Sequence, residues 1–300
     1  MKIAISGASG LIGTQLKQAF EGAGHTVISI IRDRSKQGAN TILWDPESHF
    51  IEGDKLEGID AVVNLAGEGI ATGRWNEEKK RKILESRVDS TKTLSDCISH
   101  LKQPPKVFIN GSAIGYYGDR GDLECTEKTS RGKGFLADVC AQWEEAALPA
   151  VKAGVRTIFL RTGIVLSKDG GALGKMLLPF KLGLGGVIGS GKQYMSWIAI
   201  DDLVGMILYM IVNADIDGPV NGVAPNPVTN REFTKTLGAV LHRPTIFPVP
   251  AFVLRVLLGK EMADEFLLAS TRVRADKILE KGYRFKYPNL HDALNHVIYP

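Results

Sequence analysis

The chain has 300 residues, of which 44% are hydrophobic and 23% charged, with a formal net charge of +4. This length can bury a large core in one domain or in two unequal ones. The weak, dispersed charge predicts no nucleic-acid partner. No apolar run approaches the roughly 18 residues that suggest a membrane span, so we expect no membrane partner. The three cysteines show no metal-ligand spacing, and the N-terminus is not a signal peptide; both observations favour a cytoplasmic protein without a metal.

Strands and helices alternate along the first half of the chain. An apolar strand at 2–6 precedes a glycine-rich turn and a helix that ends near Gly22 and Gly24. A long helical pattern over 76–101 stops before two prolines, and a second covers 132–146. Further strands are predicted in the segments "HTVISIIR", "IDAVVNLAG", "KVFINGSA" and "RTIFLRTGIVL". The alternation predicts an α/β fold with right-handed crossovers and a parallel sheet covered on both faces.

The pattern becomes irregular and rich in glycine after residue 168. "GVIGSGKQ" at 186–193 is close to a nucleotide triphosphate loop, but Gln193 replaces the required hydroxyl and no helix follows, which favours a substrate-side loop. Asp201 is predicted as the N-cap of an apolar helix, with contact to a substrate as the alternative. Helical segments are expected at 230–241, 250–258 and 270–282.

The first turn carries the clearest binding signal. In "ISGASGLIG", three glycines are spaced three residues apart, directly after a strand and at the start of a helix. The first glycine permits the tight turn, the second lets a pyrophosphate approach the positive end of the helix, and the third permits close packing. This arrangement predicts a dinucleotide site formed by Gly7, Ala8, Ser9, Gly10, Leu11, Ile12 and Gly13.

The end of the second strand selects the cofactor. An acidic residue there would bind the ribose hydroxyl of NAD, whereas an arginine accepts the 2′-phosphate of NADP. Arg32 lies at the strand end with Arg34 close by, so we predict NADP (NADPH) as the cofactor. A shift of register by one residue would bring Asp33 to the ribose, and both arginines would be simple surface charges if no cofactor binds.

Five motifs occur in a fixed order: "GASGLIG", "VVNLAG", "INGSAIGYYGD", "LRTGIVL" and "SWIAIDDL". With these motifs the chain resembles the atypical short-chain dehydrogenase/reductases of the NAD-dependent epimerase/dehydratase superfamily, and within them the epimerase-family branch, which has a C-terminal domain of unassigned role. The resemblance covers nearly the whole chain. It implies a Rossmann-type, doubly wound parallel sheet, with an NADP-binding domain at 1–167 plus 195–214 and a smaller substrate or partner domain at 168–194 plus 215–300.

The resemblance also implies positions for further site residues. Leu65, Ala66 and Gly67 would follow the cofactor near its adenine ribose and phosphates. Arg87 stands where extended relatives usually have Asn, and would reach a cofactor phosphate or form a salt bridge on the helix surface. Ser112 would lie beside the nicotinamide, or serve only as a strand-end hydroxyl that satisfies a turn.

The chain departs from the family at the catalytic pair. The family uses a Tyr as general acid/base and a Lys four residues later that lowers its pKa. In "GKGFLADVCAQWEEA" the equivalent pair is Phe135 with Val139 or Leu136 with Cys140, depending on the register. Of these four, only Cys140 could exchange a proton.

Two tyrosines remain as candidate acids in the absence of that pair. Tyr116 and Tyr117 occupy a strand-end loop over the expected nicotinamide position, and either would need another cation in place of the lysine. Counting back from Tyr117 places Ala113, not Ser112, at the family's serine position. Packing or lining of the pocket is the alternative role of both tyrosines.

These features leave two functions open. The first is an NADP-dependent oxidoreductase or epimerase of a small, sugar-like or carbonyl substrate. The second is a non-catalytic NADP(H)-binding regulatory or redox-sensing protein that acts through a protein partner. The missing pair favours the second, and the glycine-rich loop and the tyrosines favour the first. The sequence leaves a homodimer open.

Overall fold

The computed structural model describes all residues from Met1 to Pro300 and contains 14 strands. In chain order the strands are β1 Lys2–Ser6, β2 Thr26–Ile31, β3 Thr41–Asp45, β4 Phe50–Ile51, β5 Ala61–Asn64, β6 Val107–Ala113, β7 Glu124–Cys125, β8 Arg156–Thr162, β9 Ile164–Leu166, β10 Tyr194–Met195, β11 Trp197–Ala199, β12 Gly218–Gly222, β13 Val228–Thr229 and β14 Arg272–Val273.

The helices are α1 Leu11–Gly22, α2 Glu77–His100, α3 Phe135–Glu145, α4 Leu148–Lys152, α5 Gly171–Lys181, α6 Ile200–Val212, α7 Asn230–Val240, α8 Ala251–Leu258, α9 Lys260–Met262, α10 Asp276–Glu280 and α11 Leu290–Ile298. A 3₁₀ turn at Ile114–Tyr117 follows β6 directly, and a π-helical turn covers Ala263–Leu267. No helix combines the length and the apolar character needed to cross a membrane.

Eight strands form the central sheet in the order β12-β8-β6-β5-β1-β2-β3-β4. All neighbours are parallel except β3 and β4, which run antiparallel. The order reverses between β1 and β5, and in such sheets ligands bind outside the carboxyl ends of the strands at this reversal. The predicted α/β, doubly wound parallel sheet is therefore confirmed.

Alternating residues of the strands build a core on each face of the sheet. Ile3 and Ile5 of β1 pack on one face with Leu16 of α1, and Ala4 packs on the other with Leu94 of α2. This alternation follows from the two-residue period of a strand. A third core, formed by α5, α7, α11 and the short strands near them, holds the smaller part of the molecule together.

The predicted domain boundaries need one correction. The predicted boundary places Gly218–Gly222 in the smaller domain, but these residues form the edge strand β12 of the central sheet, paired with β8. Val273, Ile278 and Tyr283 likewise pack into the core on the α1 face of that sheet. Part of the C-terminal segment therefore packs on the Rossmann part, while α7 and α11 belong to the third core.

Two local predictions were also wrong. The N-cap of α6 is Ala199, and Asp201 lies inside the first turn, with a carboxylate oxygen 3.3 Å from Nε2 of His296. The following residue, Asp202, is buried and accepts hydrogen bonds from the backbone nitrogens of Lys286 and Tyr287. The helix expected at 270–282 is limited to α10, because β14 occupies its beginning.

Candidate functional site

The glycine-rich turn connects β1 to α1 at the reversal of the sheet. Gly7 has a left-handed backbone (φ +68°), which a side chain would strain, and Gly10 is the N-cap of α1. A Cβ at Gly13 would lie 2.2 Å from the Gly7 carbonyl oxygen and 2.7 Å from Cα of Ala8. Only glycine therefore fits at position 13, where the turn makes its closest contact. The free amides at the N-terminus of α1 are suited to bind a pyrophosphate.

The arginines after β2 are exposed, and their guanidinium groups have no hydrogen-bond or ion-pair partner in the chain. Asp33, between them, caps a short 3₁₀ turn: its carboxylate accepts the Ser35 backbone nitrogen at 3.0 Å and the Ser35 hydroxyl at 2.7 Å. These two bonds hold the Asp33 pKa below its ordinary value. Asp33 is thus engaged locally, while Arg32 and Arg34 are free to meet a phosphate.

The strand beside the turn contributes a buried polar link. The Ser6 hydroxyl donates to Oδ1 of Asn64 at 2.5 Å, and the backbone nitrogen of Leu65 donates to the Ser6 hydroxyl at 3.2 Å. A Cβ on Gly7 would also contact the Leu65 carbonyl oxygen, at 2.8 Å. These contacts hold the ends of β1 and β5 together at the start of the segment Leu65, Ala66 and Gly67.

Arg87 does not lie on the outer helix surface. Its Nη1 donates to the carbonyl oxygens of Ile83 at 2.9 Å and Glu68 at 3.0 Å, and its guanidinium carbon lies 5.0 Å from the Trp143 ring centre. A Cβ on Gly67 would be 3.2 Å from that guanidinium carbon. Burial lowers the pKa of Arg87. Arg87 therefore contacts the backbone that follows β5, where its predicted role would place it. Its contact with a cofactor phosphate stays a prediction.

Helix α3 carries apolar groups in both candidate registers of the family's catalytic pair. A Cβ on Gly115 would lie 3.4 Å from Cβ of Leu136 and 3.7 Å from Sγ of Cys140, so the loop after β6 packs directly on these two residues. Cys140 is buried, and burial raises the pKa of its thiol to about 12. A thiol that remains protonated and enclosed cannot take over the role of the missing pair.

A buried ion pair lies beneath the same loop. Nε and Nη2 of Arg161, at the end of β8, each donate to a carboxylate oxygen of Glu144 at 2.8 Å. The Ser112 hydroxyl donates to Glu144 at 2.7 Å. Burial alone would lower the pKa of Arg161, but the bonds and charge of Glu144 outweigh it and raise that pKa. Ser112 is thus committed to Glu144 instead of projecting freely towards a ligand.

Tyr117 is enclosed by this network. Its side chain is fully buried, its hydroxyl donates to Oδ1 of Asn221 at 2.7 Å, and it accepts from Nη1 of Arg161 at 3.1 Å. Burial raises the pKa of Tyr117 to about 12. These contacts argue against Tyr117 as the proton donor, because its hydroxyl is neither accessible nor easily ionised.

Tyr116 is placed differently from its neighbour. The Arg161 guanidinium carbon lies 3.5 Å from the centre of the Tyr116 ring, and the Tyr117 ring packs against it edge-on at 5.6 Å between centroids. The Tyr116 hydroxyl has no hydrogen-bond partner in the chain and is not a buried atom. The ring is therefore held on a cation while its hydroxyl is open to a ligand.

The C-terminal segment closes the other side of this region. Glu265 accepts the first two amides of α3, from Phe135 at 3.0 Å and from Leu136 at 2.9 Å. Gly134 precedes them with φ +108°, and a Cβ there would be 2.7 Å from the Glu265 carboxylate. A cavity of about 180 Å³ lies between α3, Gly115 and this segment. Its volume suits a small group and is below the usual range for a drug-sized ligand.

Comparisons with known proteins agree with this geometry. Residues 3–221 match the model of the NAD dependent epimerase/dehydratase family. The chain belongs to this family. Residues 249–297, which include Glu265, match a domain of unknown function named DUF1731. The epimerase/dehydratase model thus covers the strands up to β12, and the unassigned domain covers the segment that closes over α3.

Family members of similar length are close in sequence. An epimerase family protein of Mycobacterium leprae is 40% identical over 294 residues, covering 98% of this chain and 94% of that protein. The human epimerase family protein SDR39U1 is 37% identical over 302 residues, covering 99% of this chain and all of that protein. The predicted resemblance to the epimerase-family branch is therefore confirmed.

Solved structures support the same assignment. The crystal structure of human SDR39U1 (isoform 2) with NADPH superposes with a TM-score of 0.92 over 99% of both chains, at 37% identity. A nucleoside-diphosphate sugar epimerase of Corynebacterium glutamicum gives 0.82 at 37% identity, over 99% of this chain and 58% of that one. UDP-N-acetylglucosamine 4-epimerase of Bacillus cereus, at 17% identity and 0.78, shares the fold alone.

Sequence reasoning missed four residues of this candidate site: Glu144, Arg161, Asn221 and Glu265. Arg161 carried a usable signal, because an arginine inside the apolar strand "RTIFLRT" must find a buried partner. Glu144 and Asn221 lacked such a signal, since each acts through a contact distant in sequence.

Proposed function

We propose that this protein is an NADPH-dependent oxidoreductase that reduces a carbonyl group of a small substrate. The residues at the sheet reversal fit the cofactor: the Gly7 and Gly13 contacts leave space only for backbone, and the amides at the start of α1 suit a pyrophosphate. The free guanidinium groups of Arg32 and Arg34 suit a 2′-phosphate. The human relative crystallised with NADPH supports the same choice.

The cofactor preference rests mainly on Arg32 and can be measured directly. Fluorescence titration should give tighter binding of NADPH than of NADH, and Arg32→Ala should weaken NADPH binding roughly 10- to 100-fold, the value of a hydrogen bond to a charged group. NADH binding should change little. Arg81→Ala is the matched control, because Arg81 is also exposed and pairs only with Glu85. Equal affinities of the wild type for both cofactors would overturn the assignment.

Tyr116 is the proposed proton donor to the carbonyl oxygen of the substrate. NADPH held by the glycine turn and the arginines after β2 would supply a hydride for the carbonyl carbon. The Tyr116 hydroxyl then gives its proton to the carbonyl oxygen, so that an alcohol forms, and water returns a proton to the phenolate. One observation carries this proposal: among Ser112, Tyr116 and Tyr117, only Tyr116 has a hydroxyl that is free of protein partners.

Arg161 is the positioning residue for this step. Its guanidinium stacks on the Tyr116 ring, which fixes the direction of the hydroxyl. Because Glu144 neutralises its charge, Arg161 is a weaker electrostatic substitute for the family's lysine. We therefore propose that the chain keeps a positioned tyrosine, Tyr116, whose hydroxyl receives less electrostatic activation from Arg161 than the family's lysine would give. Such a site is consistent with a slow or narrowly specific enzyme.

The experiment for this function is a substrate panel. Loss of reduced-nicotinamide absorbance is followed for the purified protein with aldehydes, ketones and nucleotide-linked keto sugars. Turnover of at least one class above the rate without protein supports the proposal. Tight NADPH binding with no turnover on any class would contradict it.

The second candidate is a non-catalytic protein that binds NADPH and acts through a partner. Helix α3 favours it, because both candidate pairs, Phe135 with Val139 and Leu136 with Cys140, are apolar and the Cys140 thiol is buried. The two proposals differ in the behaviour of Tyr116→Phe, which should leave a purely binding protein unchanged in every assay.

A further inference from the structure

An apolar surface lies on the smaller part of the molecule. Sixteen large hydrophobic side chains of the chain are exposed, and half of them fall in two short segments. Leu178 and Ile246 are exposed by 67% and 70%, which is unusual for residues of their size. We define the apolar surface as Leu178, Leu182, Leu184, Ile246, Phe247, Phe252, Val256 and Leu257.

The two segments adjoin each other. Nε of Arg243 donates to the Lys181 carbonyl oxygen at 2.9 Å, and the backbone nitrogen of Val249 donates to the Val187 carbonyl oxygen at 2.8 Å. The second segment continues directly into α8.

Helical spacing groups the apolar residues further. Leu178 and Leu182 are four residues apart on α5 and its end, so they share one face of that helix. Phe252 and Val256 have the same spacing on α8. The exposed residues therefore form clustered faces and are not scattered singly, and clusters of this kind mark interaction sites.

Basic residues predominate in the segments that carry this surface, and the acidic residues that follow α8, Glu261 and Asp264, are each paired with a cation. Residues 170–192 and 233–260 contain seven Lys or Arg residues and no Asp or Glu. Arg255 is the one neutralised by an acidic neighbour, Asp264, at 2.7 Å. Neither Lys181 nor Lys260 forms an ion pair or a side-chain hydrogen bond, and both are exposed. A partner for this surface must therefore combine apolar material with negative charge.

We propose that the apolar surface docks on an anionic phospholipid bilayer, with α8 lying in the interface. Apolar side chains with Lys and Arg beside them are the pattern of helices that lie in the plane of a membrane. A second copy of this chain fits less well, because a two-fold contact would oppose like charges.

Peripheral docking revises the expectation of no membrane partner, which rested only on the absence of a span. It does not depend on the proposed reductase activity.

The test is sedimentation of the intact protein with phosphatidylcholine vesicles, with and without phosphatidylglycerol. We expect binding only when the anionic lipid is present, and weaker binding at high salt. Phe252→Ser with Val256→Ser should reduce the partition coefficient at least tenfold. Lys181→Ala and Lys260→Ala should each reduce it about fivefold. Leu123→Ser, at an equally exposed site elsewhere, is the matched control.

Thermal unfolding of each variant verifies that the fold is intact, so that a loss of binding reports the surface itself. Failure of the wild type to bind anionic vesicles overturns the proposal, as does binding that the Phe252 and Val256 substitutions leave unchanged. A concentration-dependent dimer that those substitutions abolish would assign the surface to self-association instead, and would overturn it equally.

Discussion

Glu144→Gln tests the buried network beneath the proposed site. The wild-type carboxylate accepts two bonds from Arg161 and one from Ser112, with the Arg161 side chain only 4% exposed and that of Glu144 12% exposed. The substitution preserves the shape but removes the negative charge. The Arg161 guanidinium then stays in the interior without a compensating charge.

The expected cost is large for a single substitution. Removal of one partner from a buried ion pair destabilises a protein by about 3–5 kcal/mol. From the usual entropy of unfolding per residue, a chain of this length should lose roughly 5–8 °C in melting temperature. The double variant Glu144→Leu/Arg161→Met removes both charges and should recover more than half of the loss, because apolar replacement of a whole pair is often close to neutral.

Urea unfolding followed by tryptophan fluorescence measures these differences. Glu85→Gln is the control, since Glu85 pairs with Arg81 on the exposed face of α2 and should cost about 0–1 kcal/mol. If Glu144→Gln changed the free energy of unfolding no more than Glu85→Gln does, the ion pair would not have the burial and geometry described here. A double variant less stable than the single one would also refute the reasoning.

Other predictions follow from the turn and from the buried acids. Gly13→Ala should weaken NADPH binding at least tenfold and destabilise the fold by about 1–3 kcal/mol, because the added Cβ meets backbone atoms. Gly22→Ala, in open space at the end of the same helix, should instead be neutral or stabilising in thermal melts. The free energy of unfolding should fall by about 1.4 kcal/mol per pH unit above about pH 9 for Cys140, and by a further ~1.4 kcal/mol per pH unit above about pH 10 for Tyr117, since each group ionises at lower pH in the unfolded chain than in the folded one. Cys140→Ala should lessen that fall in urea titrations at several pH values, and a stability that is flat up to pH 11 would contradict the burial of both groups.

The features that the sequence predicted correctly are local ones. The glycine turn depends on three residues in a fixed spacing next to one strand, so the pattern alone specifies its conformation. The strands with long apolar runs are predicted correctly because their signal, too, lies within a few consecutive residues. Strand β12, "GPVNG", was missed because glycine and proline disfavour strands, and an edge position tolerates them.

The features that escaped prediction depend on tertiary contacts. Tyr116 and Tyr117 are adjacent in sequence and chemically equal, yet Asn221 of the edge strand engages one of them and leaves the other free. The capping of α3 by Glu265 joins residues about 130 positions apart. Since no local pattern encodes such distances, the sequence could nominate the tyrosines but not choose between them.

The central claim is that Tyr116 supplies the proton during reduction by NADPH. It is tested most directly by single-turnover oxidation of bound NADPH, with the best substrate from the panel, in the wild type, Tyr116→Phe and Tyr117→Phe. We predict that Tyr116→Phe lowers the single-turnover rate about 100- to 10,000-fold, the usual contribution of a general acid, while NADPH affinity is unchanged. Tyr117→Phe should retain most of the rate if it folds normally. An unchanged rate in Tyr116→Phe would contradict the account.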